Sequence, residues 1–245
     1  MRNIKLIIEY DGTGYYGWQR QSGQSTIQQT LEEKIAVITQ EKIHLISSGR
    51  TDAGVHALNQ VANFKTASRI PEINLLRGIN SLLPPDIAVK DLTEVEWEFH
   101  SRYSAKSKVY LYRIDNRSVR PALYRNYSWF IHDPLCIENM KECAIMLKGV
   151  HDFSSFCAAG NDSRSYEREV IDVSLEKDDQ GMVEFQIEAN GFLKHMVRNI
   201  IGTLVYAGKG KIGPSGFESI LKAKDRTLAG PTAPPQGLFL KEVKY

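Results

Sequence analysis

The sequence predicts an α+β protein made of two similar halves, and three observations carry that prediction. β-Rich runs come in groups rather than in strict alternation with helices, a few longer windows repeat apolar residues at helical spacing, and the same order of elements is written twice. Mixed, mostly antiparallel pairing is therefore expected, with helices packed on one face of the sheet and the other face left to hold a ligand.

The first half opens with the strand NIKLIIEY, followed by a glycine-bearing loop and a helix over 26–40. Ser25 with Gln28 matches a capping box, and Ile27, Leu31, Ile35 and Ile38 recur along one helix face. Two short strands, HLISS and LNQVANFK, flank the turn GRTDAGVHA. A helix over 72–83, stopped by Pro84 and Pro85, and a strand over 87–92 complete the half. The second half repeats the order: strand KVYLYRI, a helix over 137–147, strands EVIDVSLE and VEFQIEA, helix KHMVRNIIGTLVYAG, a helix over 215–222 and the closing strand LFLKEV. No Gly/Ser-rich linker separates the halves, and composition turns basic over 102–108. The expected division is 1–104, carrying the GRTDAGVHA turn, and 105–245, in one continuous body with a cleft between the two.

At 245 residues the chain is long enough to bury a substantial core. Hydrophobic content of 42% and charged content of 24% are ordinary for a soluble globular protein. Cys136, Cys143 and Cys157 show no CxxC spacing, which suggests neither a disulfide framework nor a zinc site and fits a reducing cytoplasm. No apolar run has the length of a signal peptide or a membrane span, so a soluble cytoplasmic protein without membrane attachment is expected.

Net charge is only +2, yet it is unevenly spread. The stretch SRYSAKSKVYLYRIDNRSVRPALYRNY holds Arg102, Lys106, Lys108, Arg113, Arg117, Arg120 and Arg125 against Asp115 alone, with tyrosines between the cations. It reads either as a solvated strand pair or as a surface offering cations to phosphates and rings to bases.

The loop DGTGYYGW carries Gly12, Gly14 and Gly17 in the G-x-G-x-x-G pattern. A dinucleotide fingerprint needs its last glycine to open a helix, whereas here the helix waits until residue 26. Contact with RNA or a partner subunit fits the loop better, the alternative being a plain surface loop. His56, His100, His132, His151 and His195 lack metal-ligand spacing, and no nucleophile elbow occurs, so no metal is expected.

Candidate chemistry then rests on Asp52, a lone acid in a tight turn between Arg50 and Gly54. A carboxylate can attack carbon or stabilise an electron-poor sugar if it stays ionised in a partly dehydrated pocket beside a cation. Arg198 is a candidate cation: His195, Arg198, Asn199 and Gly202 share one side of their helix, and Met196, Ile200 and Leu204 the other. Tyr110 and Tyr112 share a strand face, either as core rings or with one ring stacked on an extruded base, its phenol placed for proton transfer.

The signatures EYDGTGYYGWQRQ, SSGRTDAGVHALNQVANF, FHSRYSAKSKVYLYRI with NRSVRPAL, HDFSSF, and ANGFLKHMVRNIIGTL with AKDRTLAGPTAPPQGLFL run in this order along nearly the whole chain. In them the sequence closely resembles the tRNA pseudouridine synthase A family, also called tRNA pseudouridine synthase I. The resemblance implies two ferredoxin-like, RNA-recognition-like halves around a central RNA-binding cleft. It implies isomerisation of uridine to pseudouridine at tRNA positions 38, 39 and 40 of the anticodon stem and loop, by a homodimer that uses neither cofactor nor metal. Asp52 matches the family's catalytic aspartate, Tyr110 the tyrosine against the target base, Arg198 the arginine that pairs with the aspartate, and Arg50 the arginine that helps pull out the nucleotide. Further RNA contacts are expected from Arg20, Gln21, Lys106, Lys108, Arg113, Arg164 and His195. The competing readings are a non-catalytic tRNA-binding or folding protein on the same scaffold, and a pseudouridine synthase for another RNA site.

Overall fold

The computed structural model of the chain describes residues 1–160 and 165–245. Ten strands and five α-helices among those residues make an α+β protein with mixed, mostly antiparallel pairing. Contacts divide it into two compact units, Met1–Lys106 with Phe239–Tyr245, and Ser107–Leu238. In chain order the first unit contains β1 (Arg2–Tyr10), α1 (Ile27–Thr39), β2 (Ile46–Ser47), β3 (His56–Thr66), α2 (Glu72–Leu82) and β4 (Ile87–Val95). The second contains β5 (Ser107–Asp115), β6 (Trp129–Phe130), α3 (Ile137–Ile145), β7 (Gly149–Asp152), β8 (Glu167–Lys177), β9 (Met182–Ala189), α4 (Met196–Gly208) and α5 (Pro214–Ala223). The last strand, β10 (Leu238–Lys244), belongs with the first unit.

In the first unit β1 is central and antiparallel to both β3 and β4. Its alternation is that of a strand covered on one side, with Ile4, Leu6 and Ile8 wholly buried. β10 runs parallel to β3 through Phe239 opposite His56 and Leu240 opposite Ala57, while β2 pairs antiparallel with β3 farther along. Ile27, Leu31 and Ile35 of α1 are fully buried, as the helical spacing predicts. The N-cap lies one residue later than the Ser25–Gln28 box suggests: Thr26 Oγ1 accepts from the Gln29 amide. Gln28 does not reach back, because its Oε1 accepts from the Arg20 amide at 3.0 Å instead.

In the second unit β5, β9, β8 and β7 form a consecutive antiparallel run, and the two-residue β6 adds parallel to β5. Tyr110 and Tyr112 stand opposite Ile187 and Phe185 of β9, so both rings share the face that carries those buried apolar residues. α4 departs from the expected two-sided helix. It starts at Met196 rather than 194, and Asn199, Gly202 and Thr203 are as buried as Ile200 and Leu204. Segment 225–234 covers the side that the sequence pattern leaves polar, and the crossing is close: a Cβ at Gly202 would lie 1.6 Å from the Pro231 carbonyl oxygen. Only glycine permits that approach. No helix of the described residues is long and apolar enough to cross a membrane.

Candidate active site

The acid turn sits in the first unit, between β2 and β3. The Val55 amide donates to the Asp52 carbonyl at 3.1 Å, and Gly54 takes φ +76°, closing a four-residue turn that demands glycine at its third position. Thr51 just before the acid is buried, Asp52 is half-buried and Arg50 is exposed. Two contacts set this order. Thr51 Oγ1 shares a 2.8 Å hydrogen bond with the Tyr10 phenol, and the Thr51 carbonyl accepts from the Trp18 amide at 3.1 Å. Thr51 is thus anchored inward, while Arg50 beside it faces solvent. Burial pushes the Tyr10 phenol well above its usual range, against the opposing effect of Thr51, so it serves as a neutral hydrogen-bonding anchor.

The glycine pattern of the preceding loop is explained by this turn. A Cβ at Gly17 would lie 2.5 Å from the Thr51 carbonyl oxygen, and one at Gly12 would lie 2.1 Å from the Val55 carbonyl oxygen. Both glycines let the loop backbone lie directly on the backbone of the acid turn. The Gly54 amide also donates to the Tyr15 carbonyl at 3.3 Å, and Trp18 is almost wholly buried. The loop thus backs the turn.

In the second unit, pleating puts Lys108, Tyr110 and Tyr112 on one face of β5 and Arg113 on the other. Tyr110 is 8% exposed and packs edge-on against Phe192. Tyr112 is the core ring of the pair: it is fully buried and its phenol donates to the Pro234 carbonyl at 2.8 Å. Burial drives that phenol far up in pKa, while the nearby Arg198 charge pulls it down. Arg198 is clamped by Ala233: its Nε donates to the Ala233 carbonyl at 2.8 Å, and the Ala233 amide donates to the Arg198 carbonyl at 3.0 Å. Asn199 holds the clamp, since its buried Oδ1 accepts from Arg226 Nη2 at 3.0 Å and from Thr232 Oγ1 at 2.7 Å. His195 precedes α4 with φ +58°.

The basic residues fare differently. Arg113 pairs with Glu184 on the neighbouring strand at 2.9 Å, and Arg117 grips Asp115 with Nε at 2.7 Å and Nη2 at 2.6 Å. Carboxylates therefore balance two of the cations in the basic stretch, whereas Arg102, Lys106, Arg120 and Arg125 are exposed. In the glycine loop, Arg20 Nε lies 3.3 Å from Glu32, and Gln21 donates to the Tyr16 carbonyl at 3.0 Å. Arg164 lies outside the described residues. Among the described residues no three His, Cys, Asp or Glu side chains gather as a metal centre would require.

A family model described as tRNA pseudouridine synthase matches residues 6–104 and 143–245, segments that include Asp52 and Arg198. A protein called tRNA pseudouridine synthase A from a Thermoanaerobacter species is 51% identical over 245 residues, the full length of both chains. The chain belongs to the tRNA pseudouridine synthase family. Proteins of the same name from Caldicellulosiruptor bescii and Nitrosomonas europaea are 47% and 43% identical, the first over the full length of both chains and the second over 99% of this chain and 89% of the relative.

Several residues that shape the acid turn and the surroundings of Arg198 escape sequence reasoning. Tyr10 reads as an ordinary strand aromatic and Trp18 as one of the loop aromatics facing RNA or a partner; the Tyr10 phenol and the Trp18 backbone amide instead both bond Thr51, and the Trp18 ring is buried. Asn199, Arg226 and Thr232 are brought together only by the fold. His56 reads as an ordinary histidine, and its one available signal is membership of the GRTDAGVHA stretch itself.

Proposed function

We propose that the chain isomerises uridine to pseudouridine at tRNA positions 38, 39 and 40 of the anticodon stem and loop, with Asp52 as the nucleophile. Similarity to tRNA pseudouridine synthase A proteins along the whole chain carries this reading. The reaction breaks the bond from C1′ to N1, turns the uracil, and joins C1′ to C5. The C5 proton is lost to solvent and N1 gains one, so atoms and electrons balance without a cofactor. Asp52 adds to C1′, adds to C6, or assists glycal formation by removing a sugar proton. All three routes need an ionised carboxylate under an extruded nucleotide. Arg198 supplies its counter-charge, Tyr110 lies against the base and takes the C5 proton, and Arg50 helps draw the nucleotide from its stack. The anchoring of Thr51, which leaves Asp52 half-buried and Arg50 exposed, supports these separate roles.

RNA is held mainly through phosphates and shape, by the loop at 11–23 and by the basic residues after Ser101, with Arg20, Gln21, Lys106, Lys108, Arg113, Arg164 and His195 in contact. The working form is a cytoplasmic homodimer whose subunits grip one tRNA together. For about five phosphate contacts, tRNA affinity falls by roughly 100- to 500-fold between 50 and 200 mM salt; a flat salt response refutes backbone-dominated binding.

The deciding experiment incubates unmodified tRNA transcripts, tritiated at uridine C5, with wild-type protein and with Tyr110→Phe, and then maps the modified positions. Wild type is expected to release tritium to water, with pseudouridine confined to the anticodon arm, and Tyr110→Phe to bind tRNA with severe loss of release. Pseudouridine elsewhere in the tRNA overturns the assigned target, and tight tRNA binding without release favours a non-catalytic tRNA-binding protein. Near-normal release by Tyr110→Phe reassigns the base.

A further inference from the structure

We propose that His56 is a positioning residue for Asp52, acting by fastening the glycine loop onto the acid turn; the inference rests on Asp52 as the nucleophile. His56 is the first residue of β3, and its side chain is 2% exposed. Its Nδ1 accepts from the Gly12 amide at 3.0 Å. Its ring stacks on Phe239 with centroids 4.7 Å apart, and Phe239 is also its neighbour in the parallel β3–β10 ladder. Asp11 is itself tied down, because its amide donates to the Asp86 carbonyl at 2.9 Å and its carboxylate accepts from Thr13. One imidazole therefore joins β3, β10 and the start of the glycine loop.

The mechanical path to the acid is short. Gly12, held by His56, is pressed on the Val55 carbonyl with no room for a Cβ, and the Val55 amide closes the turn on the Asp52 carbonyl. Farther along the same loop, Tyr15 and Trp18 accept from and donate to Gly54 and Thr51. Replacing Nδ1 by carbon leaves the buried Gly12 amide without its acceptor, and the loop moves off the turn to hydrate it. A displacement of about 1 Å at a reacting group is enough to slow a reaction by about 100-fold.

His56→Phe keeps an aromatic ring against Phe239 and loses the acceptor, whereas His56→Asn keeps an acceptor near Gly12 and loses the ring. Single-turnover rates at saturating enzyme, tRNA dissociation constants and melting temperatures are measured for both. The expected result is a rate about 100-fold down in His56→Phe, with tRNA affinity within threefold of wild type, and substantial rescue in His56→Asn. A merely structural role would lower the melting temperature of both variants and leave the rate at 25 °C unchanged. The inference is overturned if His56→Phe reacts within threefold of wild type, or if His56→Asn is as slow as His56→Phe. Should His56→Phe fail to fold, Asp11→Ala, at a partly exposed position, removes the carboxylate that accepts from Thr13 and so loosens the backbone around Gly12 on the same turn. About tenfold loss of the single-turnover rate at saturating enzyme is expected there, and an unchanged rate overturns the inference. Asp52→Asn run in parallel separates the two levels: an active Asp52→Asn removes the nucleophile assignment, whereas an inactive one beside fully active His56→Phe and Asp11→Ala removes only the positioning role.

Discussion

Asp52→Asn will bind tRNA as wild type does and make no detectable pseudouridine. The substitution conserves shape while deleting the charge and most of the nucleophilicity of one oxygen, and the turn around it survives because its defining bonds are backbone to backbone. Val55 still donates to the carbonyl of residue 52, Trp18 to that of Thr51, and Gly54 to that of Tyr15. Loss of a nucleophile lowers turnover by about 10⁴-fold or more, and binding through phosphates is expected to stay within about threefold. Tritium release in a single turnover, beside a filter-binding titration of the same variant, reads both quantities. Release at more than about 1% of the wild-type rate would remove Asp52 from the chemistry, because no neutral amide sustains that.

The second large effect is on stability. Gly202→Ala is expected to destabilise the second unit by about 3 kcal/mol, the upper end of the overpacking range, and to lower the melting temperature by about 6 to 12 °C. The added Cβ would meet the Pro231 carbonyl oxygen at 1.6 Å and its carbon at 2.8 Å, and backbone atoms cannot swing aside as a side chain can. Either α4 or the covering segment must retreat, and with it go the Ala233 clamp on Arg198 and the Asn199 contacts to Arg226 and Thr232. Gly14→Ala is the control. Nothing lies within 4 Å of its Cβ position, so its melting temperature should match wild type within about 2 °C. Equal melting of Gly202→Ala and wild type would show that the helix and its cover are not in the contact described.

What was legible in the sequence follows the nature of each signal. Long periodic segments such as β1 and α1 declare themselves, because burial of one face imposes a repeat that runs through the whole element. Two-residue β6 and four-residue β7 are too short to hold a repeat, and both were absent from the pattern. The parallel pairing of β10 with β3 was unreadable for another reason: partner choice between distant strands leaves no local trace. α4 misleads through its polar residues, since Asn199 and Thr203 look solvent-facing until segment 225–234 supplies their partners. The basic stretch likewise overstates its free charge, as the carboxylate that offsets Arg113 comes from β9. At the candidate site, Asp52 stood out because no other motif carried chemistry and because it lies in the GRTDAGVHA signature, an Asp in a glycine turn being ordinary by itself. Its support did not, because Gly12 and Gly17 act through bare backbone, which carries no side-chain signature.

The placement of β10 has a consequence for how the chain comes into being. Asn59 donates to the Lys241 carbonyl across 182 residues of sequence, and Phe239 lies against His56 in the same way. On a ribosome adding about 5 to 20 residues per second, the strand that braces His56 emerges on the order of 10 to 40 s after the acid turn. During that interval the start of β3, at His56 and Ala57, lacks its parallel partner, and that part of the half that carries Asp52 stays open to mispairing until the rest of the protein has been made.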